Sequence, residues 1–279
     1  MDISRVGEFT LGWGESLLWD DRRGRLYFVD CATQTMHWLE NGEGELHTFQ
    51  MSAMPAGVVP TEDGRLVAAL DDGLYVVDPD ARIVDRLTPY PNELGGRAND
   101  ACADLDGNLI TGTLNLTPSE GSAWQYSMAH GWRLLDPDIA NTNGPTAFTV
   151  DGQPILVIGD TAADYFCYSY DAEGGTVGAR QVFGDVSRLD GAPDGATLDA
   201  DIGLWCALVG GAQLARFTTA GLDRTLPLPV ANPTDVTFGG ANLERMYVTS
   251  IGGEGEWDGA LLVIDELGTN GRVEPRFSF

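Results

Sequence analysis

The run Asp21-Arg22-Arg23-Gly24-Arg25-Leu26-Tyr27-Phe28-Val29 places an aspartate- and glycine-bearing turn directly before an apolar, strand-forming stretch. Aspartate side chains accept hydrogen bonds from their own turns, and glycine takes the positive φ that tight turns need. Leu, Tyr, Phe and Val then favour extended backbone. The unit returns as Asp63-Gly64-Arg65-Leu66-Val67, Asp106-Gly107-Asn108-Leu109-Ile110, Asp151-Gly152-Gln153-Pro154-Ile155 and Asp201-Ile202-Gly203-Leu204-Trp205. A sixth copy, Asn242-Leu243-Glu244-Arg245-Met246-Tyr247-Val248, keeps the strand and lacks the turn glycine. Successive turn glycines stand 40, 43, 45 and 51 residues apart. Periods of this size, with several short strands in each, mark propeller blades. Six copies predict an all-β, six-bladed propeller occupying residues 1–279 as one domain. No blade buries its own faces, so the ring must close. Closure is expected from residues around Val6–Thr10 pairing with the last strand, residues 260–264.

Composition narrows the function classes. The chain has 279 residues and a formal charge of −26, which repels nucleic acid and anionic membranes. Neither partner is expected. No basic-then-apolar leader opens the sequence, and no apolar run approaches the roughly 20 residues that span a bilayer. A cytoplasmic protein is expected. Cys31, Cys102, Cys167 and Cys206 are widely spaced, which fits small core residues in a reducing compartment better than disulfides or a zinc knuckle.

Position within the repeat points to a site. Nine residues before each turn glycine, or its equivalent, stand Glu15, Pro55, Ala98 beside Asn99, Asn143, Asp194 and Asp235. Equivalent positions in a propeller form a ring about its axis. Carboxylates crowded there repel one another and lose hydration unless a cation is present. Oxygen donors from Glu, Asp and Asn suit a hard divalent ion, calcium first, with magnesium or manganese as alternatives and zinc or iron compatible with the carboxylates. His37, His47 and His130 lie outside this phase, which leaves a Ser-His-Asp triad without its histidine. No G-x-S-x-G elbow, phosphate-binding loop or H-E-x-x-H motif occurs. Trp13, beside the glutamate, is placed to line the entrance.

At these same segments the chain resembles the regucalcin, gluconolactonase and luciferin-regenerating-enzyme family. The resemblance runs through Gly14-Glu15-Ser16-Leu17-Leu18-Trp19, Arg97-Ala98-Asn99-Asp100, Asn143-Gly144-Pro145, Pro193-Asp194-Gly195, Gly210-Gly211 and Phe238-Gly239-Gly240. It implies a six-bladed propeller with one divalent cation in the central channel, held by Glu15, Asn143 and Asp194. It also implies that Arg97 and Asn99 hold the substrate, a small sugar lactone, and that hydrolysis is the activity. Asp194 is then the candidate general base, while Asp100 is read as a backbone-bonding turn residue. The chain departs from the family at Leu17, Ala101, Val209 and Asp235, and none of these removes an implied ligand. The alternatives are a metal-dependent hydrolase of another ester or phosphotriester, a calcium-binding protein without turnover, and a metal-free scaffold.

Overall fold

A computed structural model describes residues 1–115 and 121–279. Six antiparallel sheets follow one another along the chain, as the repeat predicts. The innermost strands are Gly14–Asp20, Pro55–Pro60, Arg97–Ala103, Thr142–Val150, Ala192–Leu198 and Pro233–Gly239. Among the described residues the helical content is a single turn, Asn92–Leu94.

Six buried apolar clusters hold the ring, one between each pair of neighbouring blades. Leu18 and Tyr27 of blade 1, for instance, pack with Val58 and Leu66 of blade 2. Trp19 and Phe28 on the other face pack with Tyr247 and Val263 of blade 6. Each strand sends alternate residues to opposite neighbours, so a near-continuous apolar run is buried on both sides. This explains why the strand segments read as solid blocks of Leu, Val, Ala and Tyr.

The Asp/Gly turns form by the expected route. Asp104 Oδ1 accepts the N–H groups of Asp106 and Asn108, both at 2.9 Å. Asp199 Oδ1 does the same for Asp201 and Gly203 at 3.0 and 2.8 Å.

Closure departs from expectation. Asp2–Arg5, not residues 6–10, is the strand that pairs with Leu262–Asp265. Gly7 at φ +69° turns the chain out of the sheet; the Val6 N–H continues the pairing to the Leu261 carbonyl at 2.8 Å, and the Leu11 N–H meets the Gly259 carbonyl at 2.8 Å. Ile3 packs against the cluster between blades 5 and 6, while Val6 and Leu11 are buried in the cluster between blades 6 and 1.

Every innermost strand carries a β-bulge near its start. The register slips between Glu15 and Leu18, Pro55 and Gly57, Asn99 and Ala101, Asn143 and Thr146, Pro193 and Ala196, and Pro233 and Val236. A bulge re-aims the side chains beside it. Here it does so at the same level in all six blades, and that level is the ring inferred from the repeat.

Candidate active site

The bulges sort the ring into two tiers. The upper tier holds Glu15, Asn99, Asn143, Asp194 and Thr234. One residue later, the lower tier holds Ser16, Asp100, Gly144, Gly195 and Asp235. Ser16 and Asp100 adopt φ +52° and +50°. Lower-tier side chains latch blades together. Ser16 Oγ accepts the Val58 N–H at 2.7 Å, Asp100 Oδ2 accepts the Gly144 N–H at 2.6 Å, and Asp235 Oδ2 accepts the Leu17 N–H at 2.6 Å. Asp235 therefore does not stand at the upper-tier position that the repeat count assigned to it. Blade 6 places Thr234 there, its Oγ1 donating to the Gly14 carbonyl. Asp100 bonds backbone, as expected.

The upper tier is polar and enclosed. Asn143 and Asp194 are buried, while Glu15, Arg97 and Asn99 are half-buried. Asn99 Nδ2 donates to Asn143 Oδ1 and to the Thr142 carbonyl, both at 2.9 Å. Asn143 Nδ2 donates to Thr161 Oγ1 at 2.5 Å. This orientation turns Asn143 Oδ1 toward Asp194 Oδ1 at 3.1 Å, two acceptors face to face. Turned over, the amide donates to Asp194 Oδ1 at 3.1 Å and to the Thr142 carbonyl at 3.2 Å and accepts from Thr161 Oγ1 at 2.5 Å, so that orientation joins Asn143 to Asp194 by a hydrogen bond.

Burial, then the charge of Asp100, pushes the Glu15 carboxyl up to about 8 against the N–H of Trp13 and the charge of Arg97. Asp194 is raised well above the ordinary range by burial, then by Glu15, Asp235 and Asp100. Carboxyls raised in this way mark a site short of compensating positive charge. Arg97 supplies some, yet among the described residues its Nη1 is buried with no hydrogen-bond partner, and its guanidinium lies 5.4 Å from the Trp13 ring centroid. Among the described residues no three His, Cys, Asp or Glu side chains gather as a metal cluster. The upper tier combines two carboxylates with amides instead.

Several supporting residues escaped the sequence reading. Asp30 Oδ2 accepts the Gly12 N–H at 2.9 Å, and its Oδ1 accepts those of Trp13 and Ala32 at 3.0 and 2.9 Å. Burial opposes its charge, but these N–H groups hold its carboxyl below the usual value. Asp160 is its counterpart in blade 4, accepting from Ala140, Asn141 and Ala162. Each fixes the loop leading to an upper-tier residue, Glu15 or Asn143. Tyr165 pins Asp194, its hydroxyl donating to the Asp194 carbonyl at 2.5 Å and accepting the Asp194 N–H at 3.0 Å. The signal available in sequence was an aspartate closing the second strand, Val29-Asp30 and Gly159-Asp160, just where the apolar run stops.

Below the lower tier the channel holds a cavity of about 130 Å³. Residues 272–275 close its far end, where Glu274 Oε1 accepts from Thr237 Oγ1 at 2.8 Å. His37 is buried in a blade between Thr35 and Thr48, and His47 stacks on Trp38, so neither reaches the ring. The four cysteines are free. No helix among the described residues is long and apolar enough to cross a membrane.

Residues 13–252 match the family model described as an SMP-30/Gluconolactonase/LRE-like region. The chain is 29% identical to pentonolactonase XacC of Haloferax volcanii, over 92% of this chain and 87% of that one. It is 30% identical to a 6-deoxy-6-sulfogluconolactonase of Pseudomonas putida, covering 85% and 82%. Regucalcin of Xenopus laevis is 24% identical over 99% and 98%. In three dimensions a luciferin-regenerating enzyme superposes with a TM-score of 0.90 at 23% identity, covering 100% and 99%. Regucalcin of Agrobacterium tumefaciens superposes at 0.89 and 23%, covering 99% and 97%. These likenesses establish the six-bladed fold.

Proposed function

The chain belongs to the SMP-30/gluconolactonase/LRE-like family, and from that premise we propose that it hydrolyses small sugar lactones with the aid of one divalent cation. The observation that carries the cation is the convergence of Glu15, Asn143 and Asp194 in an enclosed ring with little positive charge, where burial first and then neighbouring carboxylates raise both acids. A positive charge among them lowers the raised Glu15 and Asp194 carboxyls together. Glu15, Asn143 and Asp194 would hold the ion through oxygens alone, which fits a hard divalent metal. When bound, such an ion supplies Lewis-acid polarisation of a carbonyl and eases deprotonation of water. The lactone as substrate rests on the named lactonases among the relatives.

The chain's own residues divide the remaining work. Arg97 offers its unpartnered Nη1 to a sugar or carbonyl oxygen, in a planar fork that fixes orientation. The Nδ2 of Asn99 is committed within the protein, which leaves its Oδ1 to accept from a sugar hydroxyl. Asp194, held by Tyr165, takes the proton from the water that attacks the lactone carbonyl. The ring C–O bond then breaks, and the proton passes to the leaving oxygen to give the hydroxy acid.

The test is acid release from a panel of pentono- and hexonolactones by metal-stripped protein, with and without added calcium, magnesium, manganese or zinc. Turnover restored by metal in the wild type, lost in Asp194→Ala and weakened in Asn99→Ala, is the expected result. Tight metal binding with no turnover above the spontaneous rate would move the protein to the calcium-binding or alternative-hydrolase reading.

A further inference from the structure

We propose that Trp13 is a positioning residue that sets metal preference, by tying up one oxygen of Glu15 and so favouring small six-coordinate ions over calcium. The inference rests on the cation site proposed above. The indole Nε1 donates to Glu15 Oε1 at 2.9 Å. That bond occupies one lone pair of Oε1 and leaves Oε2 the freer ligand. Calcium takes six to eight oxygens and draws many of them from carboxylates that bind through both oxygens. Magnesium and manganese are satisfied by six ligands, one oxygen from each carboxylate, with water filling the rest. A glutamate restrained to one oxygen therefore penalises calcium more.

The restraint is stiff because Trp13 is held on every side. Its N–H donates to Asp30 Oδ1 at 3.0 Å, and its carbonyl accepts from the Cys31 N–H at 2.9 Å. It bridges to Ile251 of the neighbouring blade, and its ring packs on the core between blades 1 and 2. The Arg97 guanidinium lies over its face. At Gly12, just before it, a Cβ would come within 2.8 Å of Ala32 Cβ, so this loop has little room to shift. Held this way, the indole cannot follow Glu15 into a two-oxygen geometry without losing its bond.

Trp13→Phe separates the donor from the ring, since phenylalanine keeps an aromatic face for Arg97 and has no N–H. Calcium, magnesium and manganese binding to metal-stripped wild type and Trp13→Phe is to be measured by calorimetry, independent of turnover. The expected result is a rise of roughly tenfold or more in calcium affinity relative to manganese in the variant, the size of one hydrogen bond to a charged group. An unchanged ratio overturns the inference and leaves the cation site standing. Absence of binding by the wild type overturns both. A crystal structure of the manganese-loaded wild type reads the same point without a variant. Glu15 bound through one oxygen, with the Trp13 bond intact, supports the role, and Glu15 chelating through both oxygens overturns it.

Discussion

The Asn143 side-chain amide stands 3.1 Å from Asp194 Oδ1, brought there by neighbouring blades, and joins it by a hydrogen bond when its nitrogen faces the carboxylate. Buried with little positive charge nearby, the Asp194 carboxylate is unfavourable unless a cation sits beside it. Stripping divalent ions should therefore lower thermal stability, and adding one equivalent should restore it. At a hundredfold excess over Kd the gain is about 2.7 kcal/mol, or about 5–10 °C for a chain of this size. Asn143→Leu should abolish the ion-dependent shift in differential scanning calorimetry while leaving the apo transition cooperative. An ion-dependent shift that survives in the variant would place the ion elsewhere.

Tyr165 makes a different demand on the same blade boundary. Its hydroxyl satisfies both backbone groups of Asp194, so Tyr165→Phe leaves a buried N–H and a buried carbonyl without partners. A loss of about 1–3 kcal/mol in urea unfolding is expected. Lactone turnover should fall by roughly tenfold or more through kcat, because a base displaced by a fraction of an ångström loses alignment with its water. KM should change little, since Arg97 and Asn99 are untouched. A KM effect without a kcat effect would contradict the positioning role.

Asp235→Ala tests the division of the ring into tiers. Asp235 accepts the Leu17 N–H at 2.6 Å and the Val236 N–H at 2.7 Å, joining the last blade to the first. Its loss should cost about 2–4 kcal/mol of stability and leave metal stoichiometry unchanged. Loss of metal binding in a folded variant would put Asp235 back among the ligands.

That residue also marks where sequence reading reached its limit. Repeat phase located Glu15, Asn143 and Asp194 on the ring and came within one residue of Asn99, because glycine turns and apolar strands share one period with the ring. Blade 6 lacks its turn glycine, so a count anchored on Glu244 landed one residue late, on the latch in place of Thr234. The bulges were invisible for a related reason. They add a residue without altering composition, and only pairing register reveals them. Asp30, Asp160 and Tyr165 lie one strand away from the residues they support, in contacts that no local pattern encodes. The closing strand Asp2–Arg5 was missed because four residues with one apolar side chain in the core are too few for an alternation signal.

The closed end of the channel should respond to pH through Glu274. Burial is the main cause that pushes its carboxyl up to about 7, from an ordinary value near 4.5. The charge of Asp100 adds to the effect and the bond from Thr237 opposes it. Between those two values the folded protein binds more protons at this site than the unfolded chain does. Stability contributed here is therefore present below about pH 4.5 and lost as pH rises through about 7. Glu274→Gln keeps an oxygen for Thr237 and cannot ionise. The variant should match the wild type at pH 5 and exceed it at pH 8, by about 1–2 kcal/mol after allowing for solvent at this half-buried group. Calorimetric melts at the two pH values decide the matter, since the other titrating acids are common to both proteins and cancel in the difference. Equal Tm differences at pH 5 and pH 8 would mean that Glu274 titrates normally and that residues 272–275 carry no pH-dependent strain.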